Sequence, residues 1–296
     1  MKKVNVLHID AFSRIPGKGN PAGVVLNGDD YTDEEMQLIA KVVGYNETAF
    51  VQTSNVADIR IRYFTPGYET PLCGHATMGT VFALRHVGKF TRNTFNIETG
   101  AGVLPIEVAE QDGEIRMTMQ QAAPKFISFE GDKQLLAEAI GLEVDELDEA
   151  YPIEYGNTGQ WTLIVPVKTL ESFRKMKPKT DMFPQVLKQM PKTSIHPITF
   201  SVRDADSDMH GRHFSSPYAG TIEDPVTGTA SGVMGAYFKQ FVQPDLPLPI
   251  TLKIEQGHEI DKDGAVYVHV EEAEKNQLKV SISGTAVFVK QYEVVF

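Results

Sequence analysis

The chain has 296 residues, of which 42% are hydrophobic and 23% are charged, and its formal net charge at pH 7 is −11. This length predicts two domains, and the composition is typical of a globular protein. The acidic balance argues against a nucleic-acid surface, which needs clustered lysine and arginine, and against binding to an anionic membrane surface. An anionic small molecule is compatible with this charge if its site supplies N–H donors.

The cysteine count and the length of the apolar runs indicate the cellular compartment in which we expect the protein. Cys73 is the only cysteine, which excludes an intrachain disulfide and a zinc-thiolate cage and fits a reducing, cytoplasmic setting. Residues 1–10 alternate like a strand, so we expect no signal peptide there. No apolar stretch approaches the roughly 20 residues that span a bilayer.

The first half of the chain predicts strands interrupted by two helices. Thr32 followed by Glu35 has the pattern of a capping box and predicts a helix that ends at Gly44. A second helix opens at Cys73 and is almost free of charge as far as Leu84, so we expect it to be buried on most sides. Alternating patterns predict strands at residues 4–12, 22–26, 59–64, 95–99, 102–108 and 114–120. We place the crossing between the domains near residues 122–124.

The second half begins with strands and two short helical stretches. Its most informative segment is residues 223–232. Asp224 and Pro225 cannot continue a regular element, and small residues then open a helix that runs to about residue 242. Such a helix start is an anion site, because its first N–H groups lack partners. The other predicted elements are helices at 170–176 and 181–189 and strands at 150–156, 161–167, 193–202, 209–214, 250–255, 265–270, 277–283 and 286–289.

The two halves also repeat each other. Three short segments recur in the same order and before the same kinds of element, which indicates a duplicated fold with two helix starts facing one cleft. The matched pairs are residues 19–20 with 156–157, residues 62–65 with 212–215, and residues 73–77 with 227–231.

Five motifs occur in order along the chain. They are GNPA at residues 19–22, NETAF at 46–50, FTP at 64–66, LCGHAT at 72–77 and EDPVTGTA at 223–230. Together they resemble the PhzF family of phenazine biosynthesis-like proteins, whose fold is similar to that of diaminopimelate epimerase. The resemblance extends over nearly the whole chain.

The resemblance implies an α+β fold of two pseudo-symmetric lobes, each a strand barrel or sheet wrapped round a central apolar helix. We expect an N-terminal lobe at residues 1–122, completed by the last strand at about 285–296, and a C-terminal lobe at 123–284. The active site is expected in the cleft between the lobes, without a cofactor. Family members are often homodimers, so the resemblance also implies a homodimer.

The resemblance assigns the site residues. In the characterised phenazine enzyme, the glutamate of the Asn-Glu-Thr motif moves a proton between carbons of a dihydro-hydroxyanthranilate, and here that residue is Glu47. Asp224 and His75 are expected in the same site, although Asp224 could instead cap a helix and His75 could simply stand at a helix entry. The expected substrate-binding residues are Asn20, Gly74, His75, Gly228 and Thr229.

We expect Cys73, His210 and His213 to take no part in catalysis. Cofactor-independent racemases of this fold use two cysteines, but this chain has one, and the repeat places Thr227, or Asp224 nearby, where the second thiol would be needed. A two-thiol racemase is therefore excluded, and we expect Cys73 to be a small buried residue. His210 and His213 have no carboxylate or cysteine nearby in sequence at ligand spacing, so no metal site is expected.

The sequence thus predicts a cytoplasmic, cofactor-independent isomerase that transfers a proton within a small carboxylate-bearing substrate. Glu47 would take a proton from one carbon and return it to another, while N–H groups at the helix starts stabilise the negative charge. Two alternatives stay open at this point. One is an epimerase or a lyase on the same scaffold, and the other is a non-catalytic binding protein.

Overall fold

The computed structural model describes residues 1–111, 113–274 and 277–296. The chain divides into two compact units, the first formed by residues 1–120 and 283–296 and the second by residues 121–282. Among the described helices, none is both long and apolar enough to cross a membrane.

The strands of the described chain are numbered in chain order. They are β1 (Lys3–Ala11), β2 (Asn20–Val25), β3 (Glu47–Gln52), β4 (Ile59–Phe64), β5 (Glu69–Thr70), β6 (Thr94–Thr99), β7 (Gly102–Gln111), β8 (Glu114–Gln120), β9 (Lys125–Ser128), β10 (Glu154–Asn157), β11 (Trp161–Pro166), β12 (Ser194–Thr199), β13 (Met209–Gly211), β14 (His213–Phe214), β15 (Glu223–Asp224), β16 (Ile250–Gln256), β17 (Gly264–Glu272), β18 (Leu278–Gly284) and β19 (Ala286–Val295).

The helices are numbered in the same way, and the second and sixth are the most apolar. They are α1 (Asp33–Val43), α2 (Gly74–His86), α3 (Lys133–Ile140), α4 (Leu170–Lys175), α5 (Phe183–Val186) and α6 (Gly228–Tyr237). A π-helical turn, Phe238–Val242, continues α6. Single 3-10 turns lie at Gly28–Asp30, Val144–Glu146, Thr180–Met182 and His258–Ile260.

The first unit is built round α2. This helix packs against β1, β2, β3 and β19, and its residues from His75 to Val81 are all buried. Gly79 lets the strands approach closely, because a β-carbon there would lie 3.3 Å from the side chain of Ala22. A helix without a polar face has to be covered all round, which is what the wrapping strands achieve.

α1 lies on the outside of this unit and has the start and end that its sequence predicts. Thr32 and Glu35 form the reciprocal capping box, and Gly44 ends the helix in the left-handed conformation. Met36 and Ile39 lie on its inner face, in a second small core with Phe50. β2 and β3 run parallel, and Glu47 at the start of β3 lies beside Ala22.

The second unit is built round α6 in the same manner. The helix packs against β10 and β17, and every residue from Ala230 to Tyr237 is buried. A β-carbon on Gly235 would lie 2.4 Å from Val268 Cγ1, and one on Gly156 would lie 2.2 Å from Val233 Cγ1. The helix and the strands therefore meet at the distance that only glycine permits.

β10 separates two packed layers in this unit. Successive side chains of a strand point to opposite faces. Gly156 accordingly faces α6, whereas Tyr155 lies in a core formed with α3, α4 and α5. That core includes Leu136 from α3, Phe173 from α4 and Phe183 from α5.

Some predicted elements are absent, shorter or broken. β9 and α3 occupy a segment for which no element was predicted, although Asp132 caps α3 and Gly141 ends it in the left-handed conformation. The predicted strand at 150–156 begins only at Glu154, because Pro152 cannot donate to a strand ladder and its carbonyl accepts the hydroxyl of Tyr237. The predicted strand at 209–214 breaks at Arg212, opposite Pro197.

Other limits differ as well. The predicted helix at 181–189 is a 3-10 turn followed by the single turn of α5. β19 runs to Val295, six residues beyond the limit of 289 that alternation predicts but within the span of about 285–296 that the resemblance implies.

We predict that Gly235→Ala destabilises the protein, because the new methyl group would overlap Val268. Overpacking of this kind costs about 1–3 kcal/mol. Gly79→Ala is the matched control in the other central helix. Its methyl group would lie 3.3 Å or more from its neighbours, and the gain in helix propensity of about 1 kcal/mol offsets these contacts, so we expect little change in stability. Urea unfolding of both variants measures the difference, and equal free energies of unfolding would contradict the close packing of α6.

Candidate active site

The start of α2 brings together three side chains that can exchange protons. His75 Nε2 lies 3.1 Å from Glu47 Oε2, and His75 Nδ1 lies 3.4 Å from Cys73 Sγ. Cys73 and His75 are buried, whereas the Glu47 side chain is 20% exposed. The imidazole therefore stands between a thiol and a carboxylate, and the carboxylate is the member of the group that a ligand can reach.

Local structure explains why these groups meet. Cys73 is the N-cap residue of α2 in extended conformation, so His75 lies in the first helical turn. The Thr77 hydroxyl donates to the Cys73 carbonyl at 2.7 Å. Because that hydrogen is used, the 2.7 Å contact of Thr77 with Tyr63 is donated by the Tyr63 hydroxyl. Tyr63 in β4 thus anchors the first turn of the helix.

Burial and charge set the protonation of this group. Burial is the largest cause that raises the pKa of the Cys73 thiol to about 11, and the charge of Glu47 is the second. The pKa of His75 is lowered by burial, but the negative charges around it and the hydrogen bonds to Cys73 and Glu47 raise it well above its usual value. Both shifts favour retention of a proton at neutral pH, one on the Cys73 thiol and one on the His75 imidazole.

Asn20 and Gly74 lie in the same unit as this group. Gly74 is the first residue of α2. Asn20 is fully buried at the start of β2, opposite Ala11 of β1. The glycine before it has a φ of +73°, and a β-carbon there would lie 2.3 Å from the Ala11 carbonyl oxygen. The Gly-Asn motif is thereby explained as a tight turn, and the part of Asn20 in ligand binding stays a prediction.

In the second unit, Asp224 belongs to the turn that precedes α6. Thr227, rather than Asp224, is the N-cap residue, and its hydroxyl donates to Asp224 Oδ2 at 2.5 Å. Gln256 holds the same turn: its amide donates to the Asp224 carbonyl at 2.7 Å and accepts the Thr227 N–H at 3.2 Å. Gln256 is almost completely buried, and sequence reasoning did not identify it.

Gly228 and Thr229 are the first two residues of α6. The Thr158 hydroxyl donates to the Thr229 carbonyl at 2.9 Å, which fixes the first turn of the helix. The structure therefore places both residues at a helix start, as expected, and their contact with a substrate stays a prediction.

The repeated Arg-x-Phe segments have the same local structure in each unit. Arg62 pairs with Glu69 through two hydrogen bonds of 2.7 Å and lies 5.1 Å from the Phe64 ring centre. Arg212 pairs with Glu223 at 2.9 and 2.6 Å and lies 4.8 Å from the Phe214 ring centre. In both units the pair joins two short antiparallel strands a few residues before the central helix.

A second ionic group surrounds His210 in the second unit. His210 Nδ1 lies 2.8 Å from Glu255 Oε1, and Nε2 lies 3.3 Å from Glu259 Oε2. Arg203 Nη2 contacts Glu259 at 3.1 Å, and the N–H groups of Arg203 and Asp204 both donate to Glu255. Burial lowers the pKa of His210, but hydrogen bonds to the two glutamates raise it above its usual value. This group is a buried ion pair that ties β13 to β16 and the following turn.

The chain matches one protein family and several named relatives. The sequence model of the PhzC-PhzF family, described as phenazine biosynthesis-like protein, matches residues 9–291. The uncharacterized isomerase YfhB of Bacillus subtilis is 53% identical over 289 residues and covers 97% of each chain. The trans-2,3-dihydro-3-hydroxyanthranilate isomerase of Pseudomonas aeruginosa is 30% identical over 278 residues, 93% of this chain and 94% of that one.

Solved structures agree with these matches. A crystal structure of a PhzF-family phenazine biosynthesis protein from Bacillus anthracis is 55% identical, covers all of both chains and has a TM-score of 0.98. A probable proline racemase from Agrobacterium radiobacter is only 12% identical, with a TM-score of 0.66 over 99% of this chain and 93% of that one, and it shows the fold alone.

These similarities show that the protein is an enzyme of the isomerase class. Its fold is shared with the probable proline racemase. The chain belongs to the PhzC-PhzF family of phenazine biosynthesis-like proteins. The resemblance drawn from the five motifs is confirmed, and so is the predicted α+β fold.

We predict that Glu223→Gln destabilises the protein by about 3 kcal/mol or more, because it leaves the buried Arg212 guanidinium without its charge partner. Glu69→Gln is the matched control, since Glu69 is 41% exposed and such pairs contribute about 1 kcal/mol or less. Urea unfolding of both variants measures the two effects. A larger loss for Glu69→Gln would contradict this difference in burial.

We also predict a pH dependence from His210. Because its pKa is raised in the folded state, its stabilising contribution is complete below the unfolded pKa of about 6.5 and is lost as pH rises through the folded pKa. The difference in unfolding free energy between the wild type and His210→Gln should therefore shrink as pH rises above about 6.5. Urea unfolding at several pH values measures it, with the exposed His86→Gln as the control. A difference that grows with pH would contradict the assignment.

Proposed function

We propose that the protein is a cofactor-independent isomerase that moves a proton between two carbons of a small carboxylate-bearing substrate. Glu47 is the acid/base, and His75 is its partner. The observation that carries the proposal is the 3.1 Å contact between Glu47 Oε2 and His75 Nε2 at the start of α2. General acid/base catalysis needs a titratable group within reach of the substrate and held in place by a partner.

Glu47 has the accessibility that this role requires. Its side chain is partly exposed, whereas its partner His75 is buried. The His75 contact uses Oε2, so Oε1 is the atom that takes the proton from the substrate carbon and returns it to a second carbon. The family motif in which Glu47 lies supports this assignment, since the resemblance gives the motif's glutamate the same task.

His75 orients Glu47 and stabilises negative charge. Its Nε2 forms an ion pair with Glu47 Oε2 at 3.1 Å, and Cys73 lies against the other ring nitrogen. When Glu47 takes up a proton its charge is lost, so the ion pair with His75 weakens as the proton transfer proceeds. Hydrogen-bond donors that are already in place lower the barrier where charge develops.

The substrate carboxylate is assigned to backbone N–H groups at helix starts. In the first unit these belong to α2, which begins at Gly74, and Asn20 is proposed to bind the substrate as well. In the second unit the proposal keeps Gly228 and Thr229 as substrate-binding residues and Asp224 as the second carboxyl of the reaction. Helix starts bind anions through their free N–H groups and the helix dipole.

The first compound to test is trans-2,3-dihydro-3-hydroxyanthranilate, because the Pseudomonas aeruginosa relative is an isomerase of that molecule. It carries a carboxylate and a carbon acid in one small ring, which is the substrate class proposed here. We also propose that the protein is cytoplasmic and forms a homodimer. Light scattering of the protein as it elutes from a column measures the oligomeric state.

We predict that Glu47→Gln lowers turnover by about 10²–10⁴-fold, the usual contribution of a general acid/base. Binding of the carboxylate should change little, because the helix N–H groups remain. Turnover is followed by proton NMR in D₂O, which detects both the product and deuterium at carbon. Glu107→Gln, which removes an exposed glutamate of the same unit, is the control and should keep wild-type turnover.

The outcomes separate the alternatives. Wild-type turnover in Glu47→Gln would rule out Glu47 as the acid/base. Deuterium incorporation with inversion at one carbon, and no shift of a double bond, would indicate an epimerase. Loss of a hydroxyl group would indicate a lyase. Tight binding of carboxylates with neither exchange nor turnover in the wild type would indicate a binding protein.

A further inference from the structure

The catalytic group contains three different kinds of metal-binding atom. Cys73 offers a sulfur, His75 a ring nitrogen and Glu47 a carboxylate oxygen, and these atoms all lie within 4.8 Å of one another. Glu47 Oε2 is buried and, within the part of the chain that the structure describes, makes no well-formed hydrogen bond. Its contact with His75 is an ion pair rather than a good hydrogen bond.

The spacing of the three atoms fits a single tetrahedral ion. Zinc binds sulfur at about 2.3 Å and nitrogen or oxygen at about 2.0–2.2 Å, so tetrahedral ligands are separated by about 3.6 Å for sulfur and nitrogen and about 3.4 Å for nitrogen and oxygen. The corresponding separations are 3.7 Å from Cys73 Sγ to His75 Nε2 and 3.1 Å from His75 Nε2 to Glu47 Oε2. These two separations lie within a few tenths of an ångström of the tetrahedral values, and Cys73 Sγ and Glu47 Oε2 lie within 4.8 Å of each other.

The donor set selects the type of ion. A thiolate with an imidazole and one carboxylate favours Zn²⁺ and similar borderline-soft ions, whereas Mg²⁺ and Ca²⁺ require oxygen ligands. Three protein ligands leave a fourth position for water. A single thiolate distinguishes this site from the multi-cysteine cages of structural zinc.

We propose that Cys73, His75 and Glu47 form a reversible inhibitory site for a divalent ion of the Zn²⁺ type. Binding forms bonds from the ion to Cys73 Sγ, His75 Nε2 and Glu47 Oε2. The thiol proton and the proton on His75 Nε2 pass to solvent. The ion thus takes the carboxylate and the imidazole that the proposed proton transfer uses, so binding and turnover exclude each other.

The group around His210 provides an internal comparison. Ligand atoms of His210, Glu255 and His258 also lie within 4.8 Å of one another, but both oxygens of Glu255 already accept hydrogen bonds from the backbone. This group also contains no sulfur. We therefore assign the ion to the first unit, and His258→Gln serves as a control that alters the comparison group.

The test is a Co²⁺ titration of tag-free protein that has been treated with a chelator and a phosphine reductant. The expected result is one Co²⁺ per chain and a thiolate-to-cobalt charge-transfer band in the near ultraviolet. Because the sequence has a single cysteine, such a band identifies Cys73 as a ligand. Zn²⁺ should abolish the band by displacing Co²⁺, and Mg²⁺ should leave it unchanged.

Variants test the other ligands. Cys73→Ser should remove the band. Glu47→Gln and His75→Asn should keep a thiolate ligand but weaken binding by more than about tenfold, since loss of even a residue that only supports a ligand costs 10–100-fold. His258→Gln should bind Co²⁺ like the wild type. Circular dichroism of each variant verifies folding, and Glu47→Gln tests the site even if Cys73→Ser does not fold.

Two results would overturn the inference. One is the absence of a charge-transfer band at saturating Co²⁺ in the folded wild type, and the other is unchanged affinity in both Glu47→Gln and His75→Asn. The inhibitory part rests on the proposed function, but the spectroscopic part does not. A band without turnover would retain the metal site and reject the isomerase mechanism, whereas turnover without a band, unaffected by Zn²⁺, would do the reverse.

Discussion

The structure depends on the burial of a helix that has almost no charge in each unit. Most residues of α2 and α6 are buried, because neither helix has a polar face to expose along most of its length. In the second unit, Gly156 and Gly235 let the helix and the strands approach to a distance at which no β-carbon fits, and the contact at Gly79 in the first unit is less close. The N–H groups of such a helix have partners along its length but not in its first turn, so the polar chemistry of each unit concentrates at the helix start.

Each helix start is held by contacts from elsewhere in its unit. In the first unit Tyr63 and Thr77 fix Cys73, and in the second Gln256 fixes Asp224 and Thr227. The helix starts therefore have a rigid backbone on which reactive side chains can be varied. The units differ in those side chains: the first carries a thiol, an imidazole and a carboxylate, whereas the second carries a carboxylate hydrogen-bonded to a threonine hydroxyl.

The side chains around His75 distinguish the start of α2 from the start of α6. A buried imidazole between a thiol and a carboxylate keeps its proton because its interactions with Cys73 and with Glu47 outweigh the loss of hydration. The same closeness of sulfur, nitrogen and oxygen that suits proton transfer also suits a soft metal ion. Cys73, expected from the sequence to be a small buried residue outside the chemistry, is buried but in direct contact with His75. Thr227 stands at the matching position of the second unit, so this chain has no second thiol there.

Local signals in the sequence determined much of the fold and the family of the protein. The capping box of Thr32 and Glu35, the uncharged helices and the alternating strands all depend on neighbours along the chain, so they can be read without coordinates. The motifs around Glu47, His75 and Asp224 identified the family for the same reason. Only the tertiary structure decided the rest, because it depends on contacts between residues far apart in sequence. Glu47 at the start of β3 contacts His75 at the start of α2. Gln256 of β16 binds the Asp224 turn. His210 contacts Glu255 and Glu259, which lie about 45 residues further along the chain. No local pattern encodes such pairings, since they arise from strand order and register.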